Sequence, residues 1–256
     1  MNGFHAHYSL GGFAGAAFGG ICTQWQVSTL NQTSLAAVGY LAVIPWLRSA
    51  MLPTAVDRHD PEVTVAQRPR QRAWIFYALG FLGLFSTIGE GAAADWGAVL
   101  LRDEWGASPF VSSIPYIAFS ALMVVGRLSG DPLTDRFSRE WVVRTGGLAG
   151  GCGLAAGLLI GGPFGVSLGW ALLGAGLSVA IPSVFSAAAQ IASHRFTGQV
   201  TPSAAVAIVG TVSYAGFLGG PPTLGFLADV IGLRWAMLIP ALLALGMGAA
   251  ARLVRD

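Results

Sequence analysis

The chain has 256 residues, of which 54% are hydrophobic and only 10% are charged, and its mean hydropathy is +0.64. A soluble domain of this size carries about 25% charged residues, so this composition excludes an ordinary soluble protein. The net charge of +2 is too small to indicate a nucleic-acid partner.

Eight apolar stretches each reach the roughly 20 residues that a helix needs to cross the hydrocarbon core of a bilayer. In chain order they are residues 3–25, 34–52, 74–100, 109–128, 141–160, 166–192, 203–227 and 233–253. The sequence therefore predicts an all-α integral membrane protein with eight transmembrane helices, surrounded by the lipid bilayer.

One long polar segment, residues 53–73, divides these helices. Its charged side chains are Asp57, Arg58, Asp60, Glu62, Arg68, Arg70 and Arg72. The segment is predicted to be a cytoplasmic linker between a two-helix unit, residues 1–52, and a six-helix unit, residues 74–256.

The arginines predict the orientation of the chain. If the connections alternate sides, 12 of the 14 basic residues, all of them arginine, fall on one side of the membrane, and only Arg102 and Arg234 fall on the other. Cytoplasmic loops hold the excess of basic residues, so both termini are predicted to be cytoplasmic.

Two acidic residues, Glu90 and Asp95, lie in the third predicted helix. Counting from Trp74 at 1.5 Å per residue places Glu90 about 24 Å along the helix, within the hydrocarbon. A carboxylate there is costly unless it is paired, hydrated or protonated. No arginine falls at that depth in any predicted helix, so Glu90 is expected to face the bundle interior without a guanidinium partner. It is a candidate proton carrier, and a structural hydrogen bond to another helix is the alternative.

Other polar side chains in predicted helices could line the same cavity. Together with Glu90 and Asp95, the candidates for substrate binding or proton coupling are Tyr116, Gln190 and Tyr214. For each of these three the first expectation is an interhelical hydrogen bond, and contact with a ligand is the alternative. No metal or cofactor motif is present.

One pattern typical of hydrolases occurs, the G-x-S-x-G run at residues 165–169. That motif needs a strand-to-helix turn and a nearby histidine base. Here it begins a predicted membrane helix on the outer side, whereas all four histidines are predicted to lie inside. The sequence therefore predicts no catalytic residues and no enzyme.

The predicted helices contain small residues spaced four apart, and several of them also contain prolines. Small residues at that spacing let helix backbones approach closely, which predicts tight packing, with sliding faces as the alternative. These small residues are Gly11 with Gly15 and Gly19, Gly12 with Ala16 and Gly20, Gly146 with Gly150, Gly147 with Gly151, and Gly153 with Gly157. Prolines such as Pro182 in the sixth span remove backbone donors, and broken helices mark substrate sites in transporters.

The connection after the fourth helix reads G-R-L-S-G-D-P-L-T-D-R-F-S-R over residues 126–139. It resembles the G-x-L-x-D-R-x-G-R cytoplasmic loop of the major facilitator superfamily, with Asp131 in place of the first glycine and Ser138 in place of the second. The resemblance implies a gating role for Arg127, Asp131, Asp135, Arg136 and Arg139. By the same analogy Asp135 is expected beside a guanidinium or the positive N-terminal end of the first helix.

Three further stretches are similar to this superfamily. Residues 216–229 look like its eleventh helix, and residues 1–12 and 90–103 resemble the fifth and seventh helices of a bacterial subgroup that includes the membrane protein MosC. The resemblance thus covers the chain as helices five to twelve of a twelve-helix fold, with a C-terminal six-helix bundle and two helices of the N-terminal half.

That resemblance implies secondary active transport of a small solute, often with protons, across the bacterial inner membrane by alternating access. Because helices one to four are not in this sequence, the chain is expected to be a truncated portion whose partner is a four-helix N-terminal segment. The alternative is a non-transporting membrane scaffold or inactive remnant.

Overall fold

The computed structural model describes residues 2–50 and 74–255, with side chains described over 6–49 and 74–255. All elements in these ranges are helices: α1 (Asn2–Gln24), α2 (Thr29–Ala50), α3 (Trp74–Trp105), α4 (Pro109–Phe137), α5 (Arg139–Ile160), α6 (Gly162–Leu177), α7 (Ala180–Arg195), α8 (Pro202–Ile231), α9 (Leu233–Ala236), α10 (Leu238–Ala249) and a 3-10 helix (Ala251–Val254). The predicted linker 53–73 lies outside the described residues, so its role stays a prediction.

Five helical segments are long and apolar enough to cross a membrane: α3, α4, α5, the segment Gly162–Arg195 that contains α6 and α7, and α8. The apolar segment Leu233–Ala249 is shorter. α1 and α2 have 23 and 22 residues but are less apolar, because glycine, serine, threonine and amide side chains dilute their aliphatic content. The all-α membrane fold is therefore confirmed, and the count of eight spans stays a prediction.

α4 is longer than predicted. It continues past the expected end at residue 128 to Phe137, and Pro132 lies inside it without ending it. The segment expected to be a loop is therefore helical as far as Phe137. Ser138 alone separates α4 from α5.

The predicted sixth helix is two helices. α6 ends at Leu177 and α7 begins at Ala180. Pro182 lies four residues after Ser178, has no N–H to donate to the Ser178 carbonyl, and crowds that carbonyl with its ring. The helix therefore breaks at residues 178–179, and the Ser178 carbonyl oxygen is left without its helical donor.

Glycines bring α5 close to two neighbours, as predicted. A Cβ on Gly146 would lie 2.5 Å from the carbonyl oxygen of Gly176 in α6, and a Cβ on Gly147 would lie 2.7 Å from that of Ala244 in α10. Direct backbone contact of this kind replaces side-chain packing where lipid supplies no hydrophobic driving force.

In α1 only one of the two glycine stripes packs against another helix among the described residues. Gly12 lies against Tyr116 and Gly20 against Ser113, both in α4. On the other stripe, no atom of another described helix lies within 4 Å of the position that a Cβ would occupy on Gly11, Gly15 or Gly19. The contacts also show that α1 and α4 run antiparallel, because the later α1 glycine meets the earlier α4 residue.

Polar side chains join α3 to α8. Thr87 Oγ1 donates to the Ser213 carbonyl at 2.5 Å, and Ser213 Oγ reaches the Gly80 carbonyl at 3.3 Å. Interhelical hydrogen bonds of this type hold membrane helices together. They fix the rotation of α3 in the turn that precedes Glu90.

Candidate functional site

A buried ion pair joins α3 to α4. Arg127 Nη2 lies 3.5 Å from Glu90 Oε2, and the two residues are 3% and 7% exposed. The expectation that Glu90 has no guanidinium partner was therefore wrong. Because α4 continues to Phe137, Arg127 lies about three turns inside the helix. Its long side chain then carries the guanidinium to the carboxylate.

The guanidinium of Arg127 also has acceptors on two other elements. Nη1 donates to Ser9 Oγ of α1, and Nε donates to the Ser178 carbonyl at 3.4 Å. That carbonyl is the one that Pro182 leaves without a helical donor. The Arg127 side chain therefore contacts α1, α3 and the break between α6 and α7. Pairing with an anion and two neutral oxygens offsets much of the cost of burying the charge.

Three tyrosines, Tyr8, Tyr116 and Tyr214, lie within electrostatic range of Arg127. The Tyr116 hydroxyl lies against Gly12 of α1, whereas Tyr8 and Tyr214 are 66% and 51% exposed. Tyr8 and Tyr214 are thus the members of the cluster that are accessible at the surface of the described residues. Their ring faces and hydroxyl groups can contact a small polar molecule there.

Of the predicted site residues, the structure brings together Glu90, Tyr116 and Tyr214. Asp95 is exposed on α3 and interacts electrostatically with Tyr116. Gln190 lies elsewhere, because its Oε1 accepts a hydrogen bond from Arg139 Nη1 at 2.9 Å. It lines a cavity of ≈ 310 Å³ with five other residues: Ala187, Ile191, His194, Arg195 and Arg255.

Sequence reasoning missed Tyr8, Ser9 and Ser178 as members of the cluster. Ser9 shares the packed stripe of α1 with Gly12, three residues later, which places it toward α4. A second signal was the spacing of four between Ser178 and Pro182, which by itself predicts a carbonyl without a helical donor.

The other residues to which the resemblance gives a gating role lie at the junction of α4 and α5. Asp131, Asp135 and Arg136 are exposed in the last turns of α4, and the Arg136 guanidinium lies 5.2 Å from the centre of the Phe137 ring. Arg139 begins α5 and is only 8% exposed. The gating role of these residues stays a prediction.

The structure contains no ion pair between Asp135 and a guanidinium of the described residues. Because α1 and α4 are antiparallel, the start of α1 is the part of that helix nearest the last turns of α4. The expected contact between Asp135 and residues 3–8 involves side chains that are only partly described, so it stays a prediction.

Ser138, which stands where the resembled loop has a glycine, adopts a backbone conformation that favours glycine. Its φ is 78° and its ψ is 151°, a backbone region that is essentially restricted to glycine. The Ser138 Oγ partly compensates, because it accepts a hydrogen bond from the Trp141 N–H at 3.4 Å as the cap of α5.

Ser138→Gly is expected to raise the free energy of unfolding by about 1 kcal/mol, because relief of backbone strain of about 1–3 kcal/mol exceeds the few tenths lost with the cap. Thermal unfolding of the purified protein in detergent measures this. Ser138→Ala is the matched control: it keeps the strain and loses the cap, so it should unfold below the wild type. A glycine variant that unfolds at a lower temperature than the wild type would contradict the strain.

Known proteins resemble this chain over most of its length. The family model of the Major Facilitator Superfamily matches residues 79–256. The chain is 32% identical over 257 residues to an uncharacterized MFS-type transporter of Yersinia pestis, with 99% of this chain and 63% of that protein covered. It is 30% identical over 200 residues to the membrane protein MosC of Rhizobium meliloti, with 78% of this chain and 47% of MosC covered.

A third relative, an uncharacterized transporter of Sinorhizobium fredii, is 30% identical over 254 residues, with 95% of this chain and 62% of the relative covered. The chain therefore spans less than two thirds of the length of each of these relatives. No solved structure matches the chain. The family match over α3 to the C-terminus, together with the all-helical membrane fold, shows that the protein belongs to the major facilitator superfamily, whose members are transporters and not enzymes.

Proposed function

We propose that the protein carries out secondary active transport of a small solute across the bacterial inner membrane by alternating access, coupled to protons through Glu90. The observation that carries this proposal is the buried Glu90–Arg127 pair between α3 and α4. Ionisable residues inside a membrane bundle are costly and mark substrate and proton pathways. Two of the relatives are named as transporters, which supports solute movement.

The pair has two states with different binding properties. When Glu90 is ionised, it accepts from Arg127 Nη2. When Glu90 is protonated, it no longer neutralises the guanidinium, while Ser9 and Ser178 still hold Nη1 and Nε. An oxygen of the solute then takes the place of the carboxylate at the guanidinium. Binding of a proton and binding of the solute are therefore linked at Arg127.

We further propose that both termini are cytoplasmic. The asymmetric distribution of the 14 arginines supports this orientation. Cysteines introduced at Gly162 and Arg195, which lie at opposite ends of the segment containing α6 and α7, check it. Only the first should react with an impermeant reagent from outside intact cells.

Glu90→Gln is expected to abolish proton-driven accumulation while sparing solute exchange, because glutamine mimics the protonated carboxyl and cannot release a proton. The probe is a ¹³C-labelled bacterial metabolite extract, added to proteoliposomes with a pH gradient that is acid outside. Solutes retained by the vesicles are identified by mass spectrometry. Glu104→Gln is the matched control, because Glu104 is exposed near the end of the same helix.

Two results would count against the proposal in different ways. Normal gradient-driven accumulation by the Glu90→Gln variant would show that Glu90 does not couple transport to protons. If wild-type vesicles retained no solute beyond protein-free vesicles, the chain alone would not transport, and the scaffold alternative would be favoured.

A further inference from the structure

Pro182 leaves the Ser178 carbonyl without a helical donor, and this carbonyl accepts a hydrogen bond from Arg127 Nε. We propose that Pro182 is a positioning residue for the Glu90–Arg127 pair: its missing N–H leaves the Ser178 carbonyl free to accept from Arg127 Nε, which aims Nη2 at Glu90. This inference rests on the proposed function of the pair. It extends that function to a residue with no polar side chain.

The Ser178 carbonyl has few other donors available. In a continuous helix the N–H of residue 182 would occupy it, and the helical pattern resumes only with Ser183 N, which donates to the Val179 carbonyl at 3.0 Å. The Ser178 hydroxyl donates to the Ala175 carbonyl at 2.7 Å. Ser178 is 2% exposed, so bulk water does not solvate the carbonyl. The buried oxygen therefore needs a donor, and Arg127 supplies one.

The neighbouring residue in α4 permits this approach. Gly126 lies directly against the Ser178 side chain, where any Cβ would overlap it. A side chain at this position would push α4 away from the helix break. Two features of the sequence, a glycine in α4 and a proline in α7, thus serve the same contact.

The orientation of the guanidinium follows from these acceptors. The group is planar and rigid, so three acceptors at Nε, Nη1 and Nη2 fix both its position and its plane. The contact of Nη2 with Glu90 is 3.5 Å long and the bond from Nε to Ser178 is 3.4 Å long, so both exceed the usual N–H···O range of about 2.7–3.2 Å and respond to a small rotation of the group. Loss of the Nε acceptor lets the plane tilt, and the contact with Glu90 is then the one that suffers.

Pro182→Ala tests the inference, because alanine restores a backbone N–H that can donate to the Ser178 carbonyl in place of Arg127 Nε. The full chain in proteoliposomes is treated at neutral pH with dicyclohexylcarbodiimide, which reacts with protonated carboxyls in apolar surroundings. The initial rate of labelling at Glu90 is measured by peptide mass spectrometry. We expect a rate about tenfold above wild type, the effect of weakening one charge-assisted hydrogen bond, and approaching the rate for Arg127→Gln.

Pro240→Ala is the matched control. Pro240 is buried near a second helix break, between α9 and α10, whereas the two hydrogen bonds described above run from Arg127 to Ser178 and to Ser9. This variant should label at the wild-type rate. A rise equal to that of Pro182→Ala would show a general effect of straightening helices and would overturn the inference.

The Arg127 variants separate failure of this inference from failure of the proposed function. If Arg127→Gln raises labelling of Glu90 and Pro182→Ala does not, Pro182 does not position the pair, whereas the pair itself stands. If neither variant raises labelling, the role of the pair is contradicted as well. Pro182→Ala combined with Arg127→Gln should label no faster than Arg127→Gln alone, because both act through one group. A further increase would contradict the inference.

Discussion

Arg127→Gln is expected to lower the free energy of unfolding by about 3–5 kcal/mol, the usual cost of removing one partner of a buried ion pair. Glu90 would remain 7% exposed without its counter-charge, and the Ser178 carbonyl would lose its donor. Unfolding of the purified protein in mixed micelles, followed by tryptophan fluorescence, measures the difference. Arg102→Gln is the control, because Arg102 pairs with Asp103 through side chains that are 63% and 54% exposed, and such pairs contribute little.

The double variant Arg127→Leu with Glu90→Leu sharpens this prediction. Replacing both partners of a buried pair by apolar residues is often neutral or stabilising, so the double variant should recover most of the stability that the single variant loses. If Arg127→Gln were as stable as the Arg102 control, the buried pair would not exist in the protein.

Gly146→Ala is expected to cost about 1–3 kcal/mol or more, the range for adding a methyl group to a tightly packed interior. The new Cβ would lie 2.5 Å from the Gly176 carbonyl oxygen, which is backbone and cannot rotate away. α5 and α6 must therefore separate. The same unfolding measurement detects this loss.

Gly15→Ala is the matched control for this substitution. Gly15 is also a mid-helix glycine, but no atom of another described helix lies within 4 Å of the position that its Cβ would occupy. Alanine should therefore stabilise the helix slightly, by up to about 1 kcal/mol. Equal stability of the two alanine variants would show that α5 and α6 are not in backbone contact.

Helix ends were predicted well where local chemistry marks them. Pro109 begins α4 as expected for a proline in the first turn, and α5 ends at Ile160, before Gly161 with a φ of 74°. The end of α4 was predicted nine residues early, because the apolar run stops at residue 128 while the hydrogen-bonded helix continues to Phe137 through charged residues. Hydropathy reports contact with lipid, and not helix length.

The charged cluster could be predicted only in part. The depth of Glu90 follows from counting residues along one helix, and its burial was expected on that basis. Its pairing with Arg127 depends on the relative rotation of α3 and α4 and on the conformation of the long Arg127 side chain. Neither can be predicted from the sequence of one helix. The Ser178 carbonyl is a backbone group, so its role as an acceptor cannot be predicted from the residue type at position 178. The only signal in the sequence is Pro182, four positions later.

The hydrogen bond from Arg127 to Ser9 has a kinetic consequence. It crosses from α4, in the predicted six-helix unit, to α1, in the predicted two-helix unit. A hydrogen bond to a charged group contributes about 1.5–3 kcal/mol, so breaking it slows relative movement of α1 and α4 by about ten- to a hundredfold. The bond therefore opposes any change in the alignment of α1 against α4.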